Sequence, residues 1–146
     1  MKPMQLAIAL LLAALPIAFV AAQKSPDPLS AGLSCPLKAK AMARLELLFG
    51  AARQNGQPIS DTEWQTFLDA EVTPRFPDGL TVLGGSGQWR SPTGTIVKEG
   101  SKVLLVWLKP GPDAEARVEA IRAAYKARFV QESVMRVDSL SCVAFQ

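Results

Sequence analysis

Six consecutive apolar residues, Val103-Leu104-Leu105-Val106-Trp107-Leu108, constrain the fold of this chain more than any other feature of its 146-residue sequence. Side chains alternate between the two faces of a strand, so a run that is apolar at every position must be covered on both sides and belongs at the centre of a sheet. Pro110-Gly111-Pro112 ends the run, and its polar beginning reaches back to Thr95, just after the turn Ser91-Pro92-Thr93-Gly94.

The other elements follow from their periods. Ala43, Leu45, Leu47 and Phe49 alternate with Arg44 and Glu46, which predicts a strand over 42–49 closed by Gly50. Ser60 stands three residues before Glu63, the spacing of a capping box, and Ile59 and Trp64 are placed to pack across the same helix start. That helix buries Trp64, Phe67, Leu68 and Val72 and is expected to stop near Pro74, whose ring disfavours helical backbone at Thr73. Gly79 opens a second strand through Leu83; Gly84-Gly85-Ser86-Gly87 is expected to bulge it before it resumes at Gln88-Trp89-Arg90. After the central strand, Val118, Ile121, Tyr125 and Phe129 lie at helical spacing, with Asp113 and Glu115 early and Lys126 and Arg128 late, as the helix dipole favours. A last strand starts near Ser133, is expected to lose its alternation at Asp138-Ser139, and resumes to Phe145.

Strand, helix, strand, strand, helix, strand is the β-α-β-β-α-β order of a ferredoxin-like α+β domain, a four-stranded antiparallel sheet in the order 4-1-3-2 with both helices on one face. In that topology the first and last strands are antiparallel neighbours. Cys35, ahead of the first strand, and Cys142, near the end of the last, then come together and predict a disulfide; two separate thiols are the competing reading. The face away from the helices carries either Val103, Leu105 and Trp107 or Leu104, Val106 and Leu108. Both sets are apolar, which predicts a homodimer through the open sheet or another partner covering it; the alternative is that the tether, or Met42 and Leu48, cover it within the chain.

Residues 1–22 read as a cleavable secretory signal, with Lys2, an uncharged apolar stretch over 6–20, and Ala21-Ala22 before the cut. The stretch is short and Pro16 interrupts it, so no membrane span is expected after cleavage. A lipid on Cys35 is disfavoured, because Gly32-Leu33-Ser34 departs from the usual Leu-small-small approach. Residues 23–40, with Pro26, Pro28 and Pro36, read as a flexible tether, and 41–146 as a single domain. Losing Lys2 with the signal leaves 15 basic and 13 acidic residues, interspersed along the chain; this argues against the basic stripe of a nucleic-acid binder. The sequence has no histidine, which removes Ser-His and Cys-His nucleophiles and the commonest metal ligand, and no metal, cofactor or catalytic residue is assigned.

Thr73-Pro74-Arg75-Phe76-Pro77-Asp78-Gly79-Leu80-Thr81-Val82, Gly87-Gln88-Trp89, Glu99-Gly100-Ser101-Lys102, and Tyr125 with Gln131-Glu132-Ser133-Val134 together resemble an uncharacterised family of small exported bacterial proteins, domain of unknown function 3574. The resemblance spans about 44–136. It implies a bacterial origin and a periplasmic or secreted location, and brings no activity with it.

On the expected fold these motifs separate to two ends. Gln88, Trp89, Glu99, Ser101 and Lys102 meet Gln131 and Glu132 where the hairpin between the second and third strands approaches the start of the fourth. Carboxylates, amides, a hydroxyl, a cation and an indole from three segments suit a small polar ligand; a polar network that fixes the loops competes with that reading. Glu99 with Glu132 is also the candidate acid–base couple, of the kind glycoside hydrolysis uses. At the cysteine end, Pro74, Pro77 and Gly79 shape a turn in which Phe76 fills the core and Arg75 pairs with Asp78 or Glu71, unless these four residues form a recognition loop. The expectation is therefore an exported binding or protein-interaction module, acting on a small polar ligand or an unknown envelope partner. A small carboxylate-dependent hydrolase-like enzyme and a cell-envelope structural protein are the alternatives.

Overall fold

The structure, a computed structural model, describes residues 33–145; the expected signal over 1–22 and the first ten residues of the expected tether lie outside the described residues. The order is β1 (Lys40–Gly50), α1 (Asp61–Phe67), β2 (Thr81–Arg90), β3 (Ile96–Leu108), α2 (Pro112–Phe129) and β4 (Met135–Val143). All strand pairs are antiparallel and the sheet runs β2-β3-β1-β4, the ferredoxin-like arrangement. β3 lies between β1 and β2; Val103, Leu104 and Leu105 of its apolar run pair on both sides, and Val106, Trp107 and Leu108 pair with β1 alone.

Buried Leu45, Leu47 and Phe49 of β1 and Leu104 and Val106 of β3 face the helices. They meet Trp64 and Phe67 of α1 and the stripe Val118, Ile121, Tyr125 and Phe129 of α2. Phe49 packs edge-on against Trp64, Phe67 and Tyr125, with ring centroids 5.2, 6.2 and 4.6 Å apart. Each such side chain contributes roughly 1.5–3 kcal/mol through burial, so this aromatic cluster is the main tie between the helices and the sheet. Alternation then assigns Val103, Leu105 and Trp107 to the open face.

The start of α1 forms as its spacing predicts. The Ser60 hydroxyl accepts from the Glu63 backbone N–H at 3.3 Å, while the Ser60 backbone N–H donates to the Glu63 carboxylate at 3.0 Å. The helix stops just before Pro74, as expected, but the form of its last turn differs. The helix widens into a five-residue π-turn over Leu68–Val72, and Thr73 keeps helical backbone, its N–H donating to the Leu68 carbonyl at 2.9 Å. Pro74 disfavours helix at Thr73 without forbidding it, and the wider turn accommodates both.

One further expectation is corrected. β2 has no bulge: its register against β3 is continuous from Thr81↔Leu105 to Arg90↔Ile96. Gly85 serves the opposite strand instead, since a Cβ there would stand 2.8 Å from the Ser101 hydroxyl. β4 loses its alternation at Asp138-Ser139 as expected, both being exposed, yet its ladder with β1 runs without interruption from Met135 to Val143. Asp138 is tolerated there because its carboxylate binds Arg136 at 2.8 Å, and Arg136 in turn binds Glu115 of α2 at 2.7 Å. Cys35 and Cys142 form a disulfide with Cα atoms 5.4 Å apart, at the end of the sheet where β1 begins and β4 finishes.

Candidate functional site

Strand register builds a cleft on the open face, at the end of the sheet opposite the disulfide. Gly50 of β1 lies opposite Ser101 of β3, and Glu99 of β3 lies opposite Gly87 of β2. Glycine at both positions removes side chains from the floor. Nothing stands within 4 Å of where a Gly87 Cβ would be, and a Cβ on Gly50 would meet the Gln131 amide oxygen at 3.2 Å and the Glu99 carboxylate at 3.3 Å. The resulting cleft has a volume of about 690 Å³.

Its walls bring together six of the seven residues expected to share a site. Gln88, Trp89, Glu99, Ser101, Gln131 and Glu132 all line it. Trp89 is 48% exposed, so its indole is available to a ligand. Gln131 is anchored by donating its side-chain N–H to the Ala52 carbonyl at 2.7 Å, which leaves its carbonyl oxygen toward Gly50. No cation or donor side chain among the described residues bonds the Glu99 carboxylate. Tyr125 approaches from the helix side and donates to the Gly50 carbonyl at 2.8 Å.

Lys102 does not join them. It follows Ser101 on β3 and so points to the other face, where its ammonium pairs with Asp61 of α1 at 2.8 Å and holds that carboxyl below its ordinary range. Leu48, Gln54 and Met135, outside the expected set, also line the cleft. The signal that finds Leu48 and Met135 is register: they are direct partners across β1 and β4 on the face that carries Gly50.

The last turn of α2 sets the position of Gln131 and Glu132. Val130 caps the helix in the left-handed conformation, φ 54° and ψ 49°, and Gln131 donates its N–H to the Lys126 carbonyl at 3.1 Å. This reversal throws the next residues back over the open face.

At the cysteine end, the loop of Glu71, Arg75, Phe76 and Asp78 is tied down internally. Arg75 pairs with Glu71 at 2.8 Å, Phe76 is buried, and Arg117 of α2 both stacks over the Phe76 ring at 5.2 Å and donates to the Arg75 carbonyl at 2.9 Å. Asp78 stays exposed and is not the partner of Arg75. A smaller cavity of about 250 Å³ lies between β4 and α2, with Ala43, Leu108 and Val118 in its walls. Its polar rim is the Arg136–Glu115 pair, already occupied in joining helix to strand.

Comparison with known proteins gives a family and a fold. The family model described as "Protein of unknown function (DUF3574)" matches residues 44–145. No curated protein matches the chain in sequence. Among solved structures, a phage SAM lyase in complex with S-methyl-5'-thioadenosine is similar with a TM-score of 0.56 at 12% identity, covering 80% of this chain and 97% of that one. Phage SAM lyase in the apo state gives 0.52 at 17% identity, covering 78% and 97%. At such identities the likeness is one of fold alone.

Proposed function

We propose that this chain, which belongs to the DUF3574 family of proteins of unknown function, is a binding module whose cleft takes a small polar ligand bearing positive charge. One observation carries the reading: two carboxylates, Glu99 and Glu132, share a glycine-floored cleft with the exposed Trp89 indole, and among the described residues neither lysine nor arginine lines it. In a chain of net charge +3 that local excess of acid is selective. A carboxylate attracts a cation directly, and an indole face adds a cation–π contribution of roughly 0.5–2 kcal/mol as water is displaced. The Gln131 carbonyl and Ser101 hydroxyl supply orienting hydrogen bonds.

The phage SAM lyase of like fold supports only the choice of probes, since its complex holds a small nucleoside-derived compound. The disulfide is compatible with an oxidising compartment outside the cytoplasm, and with the signal-like residues 1–22 supports work in the bacterial periplasm or beyond the cell. An acid–base role for Glu99 and Glu132 is the weaker reading, because the exposed Glu132 and Trp89 leave the cleft open to water.

Gly87→Val tests the binding reading without disturbing the core, since its side chain would enter empty cleft space on a β-compatible strand. Melting of both proteins is followed across small organic cations, SAM among them, and neutral counterparts, S-methyl-5'-thioadenosine among them. The expected result is a rise in Tm confined to the unaltered protein and larger for the cations; equal responses from the two proteins sink the proposal.

A further inference from the structure

We infer that the open face of the sheet docks a second copy of this chain, laid face to face with its strands reversed. The face is broad and apolar. Trp107 is 39% exposed, Leu83 49%, Val137 40% and Met135 59%, one or more from each of β3, β2 and β4. An area of this kind on a small domain marks an interface.

The charges on the face identify the occupant. Along β1 the residues that alternate with buried Leu45, Leu47 and Phe49 are Lys40, Met42, Arg44, Glu46 and Leu48. Lys40 and Arg44 make the half nearer the disulfide basic. Glu46, and beyond it Glu99, make the other half acidic. Arg44 pairs with Glu46 at 2.9 Å and lies over the Trp107 ring at 6.0 Å. Its side chain is still 38% exposed, so the guanidinium is within reach of a docked copy. A face divided into a basic and an acidic half, on an apolar ground, complements itself better than it complements an acidic or a basic partner.

Symmetry then selects the orientation. A two-fold axis running along the strands would set Arg44 on Arg44 and Glu46 on Glu46, two like-charge pairs in a dry interface. A two-fold axis crossing the strands at the level of Leu45 sets Arg44 of each copy against Glu46 of the other. The same operation lays Trp107, the partner of Arg44 across the ladder, over Leu105, the partner of Glu46. The cleft, past Gly50, remains at the margin of the interface, where the reversed copy brings its basic half.

Sedimentation equilibrium on the purified protein tests this, with circular dichroism to establish folding. The unaltered protein is expected to be a dimer. Arg44→Glu alone and Glu46→Arg alone put like charges across the interface and weaken association by at least about tenfold. Mixing those two variants pairs an all-acidic centre with an all-basic one and restores a 1:1 dimer, which no loss of an intrachain ion pair would do. Val137→Arg, on the exposed edge strand, gives a monomer by an independent route. A monomeric unaltered protein, a dimer indifferent to these changes, or variants that do not recombine on mixing would each overturn the inference.

Discussion

The Tyr125 hydroxyl donates to the Gly50 carbonyl at 2.8 Å, joining residues 75 positions apart and fixing the strand end that floors the cleft from its helix side. Burial, reinforced by the negative charge of Glu99, pushes the phenol above its ordinary value of 10. Tyr125→Phe keeps the ring packing and removes the bond, so it is expected to lower the unfolding free energy by about 1 kcal/mol. The folded state holds this proton more tightly than the unfolded state does. Its contribution is therefore complete below pH 10 and is lost as pH rises through the elevated folded value, and Tyr125→Phe should flatten that alkaline decline in denaturant unfolding.

The capping box at α1 contributes to the acid limb, beside the depressed carboxyls of Asp61 and Glu115. Glu63 is held down to about 2, first by the Ser60 backbone N–H, then by the Ser60 hydroxyl and by Arg53. A depressed carboxyl stabilises the fold above its unfolded value of 4.5 and ceases to do so as pH falls from there toward 2. Glu63→Gln should lower Tm at neutral pH and remove part of the fall in Tm across that acid window.

Replacing both cysteines by alanine opens a loop whose ends are 107 residues apart. In the chain-entropy account this lowers the unfolding free energy by about 4 to 5 kcal/mol, with strain reducing the figure. Denaturant unfolding of the double variant measures the loss, and thiol titration of the denatured, unreduced protein should find no free thiol.

Val130 holds the left-handed conformation, φ 54°, while 60% exposed, so its branched side chain meets backbone strain with little packing in return. Val130→Gly is expected to raise the unfolding free energy by about 1 kcal/mol. If the capped geometry is all that positions Gln131 and Glu132, ligand response in the melting assay should be unchanged.

The fold is legible in this sequence where neighbouring residues decide the structure. Alternation over Ala43 to Phe49 and the Ser60–Glu63 spacing are local, and they reappear as β1 and a capping box. Elements decided by another strand are not legible in that way. Gly84 to Gly87 read as a bulge because Ser101, the residue that requires the smallness of Gly85, sits across the ladder. Grouping Ser101 with Lys102 treats neighbours in sequence as neighbours in space, whereas adjacent strand residues face opposite ways. The left-handed turn at Val130 had no local signal at all, since a β-branched residue does not favour it.

The bond between Cys35 and Cys142 also determines how the domain carries force. Tension applied between the segment preceding Cys35 and the residues following Cys142 passes through one covalent crosslink, and the ladder from Lys40 to Leu48 against β4 carries no load. A domain held by those two ends would behave as an inextensible link, keeping its cleft and open face intact under loads that would peel the same sheet apart once the sulfurs are reduced.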